Sequence, residues 1–227
     1  MAEDAEEAMH KAILDGDAAE VVTLLGQGTD ANNRCDDIRQ TPLMEAAESG
    51  HEEVVRCLLE HGAEVNAGNK YRETALTLAA NGGHTAVVSV LLDWGAEINV
   101  VDEFGDTPLL NAAEGSHEAT LRLLLKRGAD PDVPNRVGMT AMTIALVFER
   151  NNVLEILLEG GAAPNLRYHD QTPLMMTLSD EEAVRLLLAH GADVSLRDNH
   201  GRTVLQQAVE DCAHHAVPLL KAAGATV

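Results

Sequence analysis

Aromatic side chains are scarce in this sequence, and basic residues are few beside the acidic ones. Aromatic residues make up 2% of the 227 positions, although hydrophobic residues make up 45%. A chain rich in Ala, Leu and Val but nearly free of rings favours thin, closely stacked helices over a wide globular core. The 16 basic residues are outnumbered by 37 acidic ones, which gives a formal charge of −21. This balance argues against a protein that binds the phosphate backbone of nucleic acids.

Cysteines and long hydrophobic runs are also scarce. Cys35, Cys57 and Cys212 lie far apart without Cys-x-x-Cys spacing, which predicts neither a disulfide framework nor a zinc site. No stretch approaches the roughly 20 apolar residues of a membrane span. The acidic N-terminal segment also lacks the apolar run of a signal peptide. We therefore expect a cytoplasmic protein that does not bind membranes.

Motifs that carry catalysis or phosphate binding are absent from the sequence. It contains no GxxxxGK[ST], GxGxxG, HExxH or GxSxG pattern. His51, His84 and His117 are 33 residues apart, so we expect them to bond nearby backbone in equivalent turns and not to share a metal. His214 and His215 are adjacent and do not face the same way on a helix. These absences predict no enzyme, no cofactor and no metal site.

Two landmarks repeat along the chain with nearly one period. In the first repeat copy that shows both, Thr41-Pro42 is a strong helix start, because Thr caps a helix and Pro fits its first position. Gly62 then follows a second apolar pattern that suits a helix end. The threonines recur at intervals of 31 to 33 residues and the glycines at 30 to 33, at Thr41, Thr74, Thr107, Thr140, Thr172 and Thr203 and at Gly62, Gly95, Gly128, Gly161, Gly191 and Gly224.

The sequences TPLMEA at 41–46 and TPLLNA at 107–112 resemble the signature of the ankyrin-repeat family. The resemblance implies an all-α solenoid of helix-turn-helix repeats joined by short β-turn or hairpin fingers. It implies a single domain over 1–227, with the first and last repeats as caps. The seven repeats are expected at approximately 1–36, 37–69, 70–102, 103–135, 136–167, 168–198 and 199–227.

Three departures from the regular pattern predict local changes in the helices. Residues 146–152 lack the usual Gly between helices, so we expect the first helix of repeat five to run long. Repeat six is about two residues short, and Ser179 with Glu182 predicts a capping box for its second helix. Pro218 should shorten or bend the last helix. The histidine of the family signature is missing from repeats two to seven, which predicts modest stability.

The few aromatic residues fall at positions that vary in the family and are exposed there. Tyr71 and Phe104 occupy the same finger-tip position, with Ile38 before them and Val137 after. Trp94 ends a second helix, and Phe148 ends a first helix on the side of the concave groove. Because rings contribute strongly to binding hot spots, we predict a partner-binding surface. Its predicted residues are Ile38, Tyr71, Trp94, Asp102, Glu103, Phe104, Asp106, Val137, Met139, Phe148 and Tyr168.

The finger at 95–106 carries Glu97, Asp102, Glu103 and Asp106 and no basic residue. An apolar tip ringed by carboxylates suits a partner protein with a basic and apolar segment. The predicted function is therefore a monomeric, non-catalytic scaffold for protein binding. Two alternatives stay open: a small-ligand sensor with its site near Phe148 and Tyr168, and the binding domain of a larger regulatory protein. The family resemblance also implies hydroxylation as a possible fate of Asn66 and Asn99.

Overall fold

The computed structural model describes residues 2–34 and 37–226 of the chain. Within these residues there are fourteen α-helices and no strand, only isolated bridges at Tyr168–Gln171 and Arg197–Thr203. The prediction of an all-helical repeat fold is confirmed. The fingers are turns, so the hairpin part of the prediction is met only by the two isolated bridges. None of the described helices has the length and apolar character needed to cross a membrane.

The helices group into two compact units, residues 1–129 and 130–227, here called the N-terminal unit and the C-terminal unit. The predicted single domain stays a prediction. The helices of the N-terminal unit are α1 (Ala2–Leu14), α2 (Ala18–Gly26), α3 (Pro42–Glu48), α4 (Glu52–Glu60), α5 (Ala75–Asn81), α6 (Thr85–Asp93), α7 (Pro108–Glu114) and α8 (Glu118–Lys126). Those of the C-terminal unit are α9 (Ala141–Val147), α10 (Asn151–Glu159), α11 (Pro173–Met176), α12 (Glu181–Ala189), α13 (Val204–Glu210) and α14 (Ala216–Ala222).

The repeat threonines are the N-caps of the first helices, as predicted. Each threonine hydroxyl accepts a hydrogen bond from the backbone N–H three residues later, and each threonine is buried. Pro42, Pro108 and Pro173 stand at the helix starts, where a missing N–H costs nothing. In repeats three and seven the cap is reciprocal, because the side chains of Thr77 and Gln206 accept from the cap backbone. These two residues occupy the slot of the signature histidine.

Burial in each unit comes from stacking like helices on like helices. In the N-terminal unit first helices pack on first helices (α1, α3, α5, α7) and second on second (α2, α4, α6, α8). The C-terminal unit repeats this with α9, α11 and α13 and with α10, α12 and α14. The small residues Ala46, Ala79, Ala112 and Ala145, one in the first helix of each of repeats two to five, are buried. A single helix pair could not cover its own apolar face, so each repeat depends on its neighbours.

Two of the predicted departures differ from the structure. Helix α9 has the ordinary length of seven residues, because Glu149 adopts the left-handed conformation that a glycine would supply, with φ 53°. The capping box at Ser179 was also wrong: Asp180 is the N-cap of α12 and accepts from the N–H groups of Glu182 and Ala183. The shortening falls on α11, which has four residues. Helix α14 is shorter than the other second helices, and Pro218 stands in its first turn.

Candidate protein-interaction surface

Four of the finger tips are each built around one polar side chain that accepts hydrogen bonds from its own turn. Asn69 Oδ1 accepts from the N–H groups of Tyr71 and Glu73, at 2.9 and 3.0 Å. Asp102 Oδ1 does the same for Phe104 and Asp106, at 2.7 and 2.9 Å. Each of these two side chains therefore closes its own turn and presents the residue two positions later at the tip. Asn135 and Asp198 repeat the arrangement in the C-terminal unit.

This geometry changes the expectation for Asp102. Its side chain is 6% exposed, and its carboxylate accepts the N–H groups of its own turn. Asp102 is the counterpart of Asn69 and Asn135, which occupy the same repeat position and carry no charge. We therefore assign Asp102 to the scaffold and leave it out of the proposed surface. The neutral residues Asn69 and Asn135 at the equivalent positions already indicated in the sequence that a charge is not required there.

The equivalent acid in repeat seven is Asp198, whose pKa is affected by burial and by hydrogen bonds in opposite directions. Burial by itself would raise the pKa of Asp198, but hydrogen bonds from the backbone and side chain of Arg202 and from the His200 N–H lower that pKa overall. The Asp198 carboxylate is 2.7 Å from Arg202 Nε. It therefore remains charged at neutral pH and accepts the turn donors, as Asn69, Asp102 and Asn135 do in their tips.

Backbone hydrogen bonds tie three successive tips together in the N-terminal unit. We call these the first tip (37–40), the second tip (70–73) and the third tip (103–106). The N–H of Lys70 donates to the Ile38 carbonyl at 3.0 Å, and the N–H of Glu103 donates to the Tyr71 carbonyl at 2.8 Å. Below the tips, Asn66 joins its finger to the next by donating to the Gly95 carbonyl and accepting from the Glu97 N–H. The tips thus form a continuous row.

The row presents one apolar side chain per tip. Phe104 is 60% exposed, which makes it one of the most exposed large apolar side chains in the described residues. Ile38 and Tyr71 are half-buried, and the Lys70 ammonium lies over the Tyr71 ring at 5.1 Å from its centroid. Lys70 therefore covers one face of Tyr71, whereas among the described residues no ring or cation is found against Phe104. The third tip carries the most accessible apolar side chain of the row.

The acids predicted around Phe104 lie at the third tip and at its base. Glu97 is exposed, and Glu103 and Asp106 are half-buried. Trp94 is placed differently, because it is the C-cap of α6 and lies beside the Asp93–Arg127 ion pair, with N and O 2.8 Å apart. Trp94 is 45% exposed, and no ring contact joins it to Tyr71 or Phe104 within the described part of the chain. Its membership of the surface stays a prediction.

The tips also hold two arginines that the sequence analysis overlooked. Arg39 and Arg72 adopt left-handed backbone conformations, with φ 63° and 62°, and both are exposed. In the third tip the same position is Gly105, with φ 84°. Glycine adopts this conformation without strain, while a residue with a Cβ does so at a cost of about 1–2 kcal/mol. The recurring glycine at Gly105, Gly138 and Gly201 was the signal that marked this position.

In the C-terminal unit Val137 and Met139 share one tip, where their backbone N–H groups both donate to Asn135 Oδ1. Val137 and Phe148 are 62% and 54% exposed, and Met139 is half-buried. The Arg150 guanidinium lies 5.1 Å from the Phe148 ring centroid, and Tyr168 packs on the His169 ring at 4.2 Å. A cavity of about 390 Å³ lies in this unit, but neither Phe148 nor Tyr168 lines it. Its walls are Met175, Met176, Leu178, Ser179, Asp211, Cys212, Ala213 and His215.

The turn histidines bond backbone as predicted, but the carbonyls belong to the preceding repeat. The Nε2 atoms of His51, His84 and His117 lie 3.1, 2.9 and 2.8 Å from the carbonyl oxygens of Leu14, Glu48 and Asn81. The three histidines therefore link repeats one to four. No group of three His, Cys, Asp or Glu side chains in residues 2–34 and 37–226 is arranged to hold a metal ion.

These features define a helical repeat protein, and comparison with known proteins gives its family. The chain belongs to the ankyrin-repeat family, because the family model for ankyrin repeats matches it in three copies, at residues 9–102, 95–168 and 161–227. Ankyrin repeats are generally non-catalytic protein–protein interaction modules. No curated protein is significantly similar to the chain in sequence.

Two solved structures show the same fold over nearly the whole chain. The ankyrin repeat domain of Bcl-3, a member of the IkappaB protein family, is 28% identical with a TM-score of 0.84, over 94% of this chain and 97% of that one. The human ASB11 ankyrin repeat domain is 28% identical with a TM-score of 0.77, over 96% of this chain and 98% of that one.

Proposed function

We propose that this chain is a non-catalytic module that binds another protein through the tips of its N-terminal unit. The observation that carries the proposal is Phe104, a large apolar side chain that is 60% exposed on a tip bonded to its neighbour. Exposing a phenyl ring to water is unfavourable, and burying it in an interface recovers that free energy. The tip backbone is already ordered, so binding there loses little conformational entropy.

The acids of the third tip favour a partner with a basic and apolar segment. Glu97 is exposed and Glu103 and Asp106 are half-buried beside Phe104. The N-terminal unit as a whole holds 24 acidic and nine basic residues, a formal charge of −15. Such a field attracts basic surfaces and speeds their encounter. We also propose that the protein is cytoplasmic, since its three widely spaced cysteines suit a reducing compartment. Its excess of acidic residues disfavours nucleic acid as a partner. We further propose that it is a monomer.

The test is the double variant Tyr71→Ala with Phe104→Ala. Wild-type chain, double variant and the matched control Val209→Ala are immobilised, and partners from the native source are captured and quantified by mass spectrometry. Val209 has the same exposure, 60%, but lies in the C-terminal unit. We expect the affinity of the recovered partner, measured by calorimetry, to fall about tenfold or more in the double variant only. An unchanged affinity in a folded double variant would rule out this surface.

The cavity of the C-terminal unit favours a second candidate, the binding of a small ligand. Its volume of about 390 Å³ lies within the range of ordinary ligand pockets. A thermal-shift screen against metabolites tests this candidate, because a ligand that binds only the folded state raises the melting temperature. Cys212 lies on the cavity wall, whereas Val209 does not line the cavity. The variant Cys212→Ser should therefore reduce the shift in melting temperature if the ligand occupies the cavity, and Val209→Ala should leave it unchanged.

A further inference from the structure

The geometry points to a partner segment with a fixed charge polarity and hence a fixed direction along the tip row. We propose that this segment places acidic residues beside the second tip, basic residues beside the third tip, and apolar residues between them. The inference rests on the proposed function, because it concerns the same surface. It replaces a uniformly basic partner segment by one with two ends of opposite charge.

The charges beside the two rings of the row have opposite signs. The second tip holds exposed Lys70 and Arg72 on either side of Tyr71. Its acid, Glu73, is half-buried and accepts a hydrogen bond from Asn69 Nδ2 at 2.7 Å. The third tip holds Glu103 and Asp106 around Phe104 and has no basic residue. A ligand that spans both rings therefore meets positive charge at one and negative charge at the other.

The first tip has no net charge and therefore does not alter the order of charges along the row. Arg39 and Asp37 are both exposed next to Ile38, so their charges offset each other. Arg34, at the base of the same finger, is engaged elsewhere, because its Nη1 donates to the Gly68 carbonyl at 2.8 Å. The change of sign along the row thus falls between the second and the third tip, where Glu103 N–H and the Tyr71 carbonyl join them.

The backbone conformation of Arg72 indicates that the turn does not require an arginine side chain at this position. Its φ of 62° is in the region that glycine adopts freely, and the third tip uses Gly105 there. Within residues 2–34 and 37–226 its guanidinium has no hydrogen-bond or ion-pair partner, and the same holds for Arg39. Strained residues of this kind cluster at binding sites, where a partner uses the side chain. A carboxylate of the partner segment matches a guanidinium in geometry and charge.

Opposite charges at two fixed points select an orientation. Charges at the rim of an interface contribute more to specificity and encounter rate than to affinity, and placing like charges together is strongly unfavourable. A segment bound in the reverse direction would place its basic end on Lys70 and Arg72 and its acidic end on Glu103 and Asp106. The row is therefore selective for the order of charges along the partner.

The first test uses a phage-displayed library of random peptides, about 12 residues long, selected on the full wild-type chain. A segment of that length spans two adjacent tips when extended. Peptides that lose binding to the Phe104→Ala variant are taken as tip ligands. We expect these to carry acidic and basic residues on opposite sides of an apolar centre. A synthetic peptide with its acidic and basic positions exchanged should bind about tenfold more weakly.

The outcomes separate this inference from the proposed function. If tip ligands are found but the exchanged peptide binds equally well, the polarity is wrong while the tip surface stands. If no selected peptide responds to Phe104→Ala, the tip surface itself fails as a binding site.

The second test is Arg72→Gly, which separates the side chain from the backbone. Glycine relieves the strain, so the melting temperature should rise by about 2 °C. The affinity for the selected peptide should nevertheless fall about fivefold, and Arg136→Ala, an exposed tip arginine of the C-terminal unit, should leave it unchanged. A higher melting temperature with undiminished affinity would show that Arg72 takes no part in binding.

Discussion

The N-terminal and C-terminal units are built from the same repeat but differ in how successive repeats are held together. In the N-terminal unit a histidine in each turn reaches back to the preceding repeat, at His51, His84 and His117. In the C-terminal unit the equivalent position in repeat five is Arg150, and in repeat six it is Asp180, the N-cap of α12. There the link runs from Asn151 Nδ2 to Asp180 Oδ2, at 2.8 Å. The N-terminal unit therefore has a regular series of histidine–carbonyl hydrogen bonds between repeats, whereas the C-terminal unit uses a different pair of side chains.

Glycine occupies the turns of the first three repeats only. Gly16, Gly50 and Gly83 adopt positive φ in the N-terminal unit, and a histidine ring of the next repeat lies against each of them. At the same position Ser116, in the last repeat of the N-terminal unit, and Glu149 and Cys212, in the C-terminal unit, adopt the left-handed conformation without being glycine, with φ 57°, 53° and 56°. A glycine at this position therefore avoids backbone strain and leaves room for the histidine ring of the next repeat. The proposed binding row stands on the more regular unit, which suits a rigid surface.

The largest expected effect is that of Gly50→Ala, which breaks the regular turn. A Cβ at Gly50 would lie 2.5 Å from His84 Nδ1, and the φ of +77° adds backbone strain. We expect a loss of about 2–4 kcal/mol in the free energy of unfolding. Urea unfolding followed by fluorescence of the single tryptophan, Trp94, measures this in the N-terminal unit.

The matched control is Gly62→Ala in the same repeat. Its φ is +87°, but a Cβ there meets nothing within 4 Å. It should therefore lose only the strain, about 1 kcal/mol. Equal losses in the two variants would show that the ring contact contributes nothing.

A smaller effect is expected for His84→Ala, which removes one link and keeps the glycine. The lost hydrogen bond to the Glu48 carbonyl should lower the free energy of unfolding by about 1–2 kcal/mol. His190→Ala is the control, because His190 Nδ1 bonds the Leu186 carbonyl of its own helix. That change should stay below about 0.5 kcal/mol. Equal losses of unfolding free energy in the two variants would show that the hydrogen bond between repeats stabilises the fold no more than one within a helix.

The smallest effect, and a stabilising one, is expected for Glu149→Gly in the C-terminal unit. Glycine fits the φ of 53° without strain, so the free energy of unfolding should rise by about 0.5–1 kcal/mol. Native-state hydrogen exchange of the α10 amides measures it. Glu155→Gly, in the exposed interior of α10, should instead lose about 1 kcal/mol. Faster exchange in Glu149→Gly would mean that the left-handed turn is not under strain.

The features that recur from repeat to repeat were predicted correctly from the sequence, whereas two of the features at irregular repeats were predicted wrongly. The threonine caps and the backbone-bonded histidines were both predicted from their spacing. The N-cap of α12 was misplaced by one residue, at Ser179 instead of Asp180, because the shortened repeat six offers no aligned copy. Asp102 was taken for a surface acid because its charge drew attention, although Asn69 and Asn135 occupy the same position without one.

The sequence by itself determined the period, the helix pairs and the family, because these depend on local capping and on apolar spacing within about 33 residues. Only the tertiary structure decided which polar side chains close a turn and which face solvent. Asp102 and Glu103 are neighbours, yet one is buried against its own backbone and the other lies at the tip. That choice depends on backbone direction and on the next repeat, which no single stretch of sequence contains. The structure likewise shows that the Arg72 side chain is exposed and has no partner in the described part of the chain, which its sequence position does not reveal.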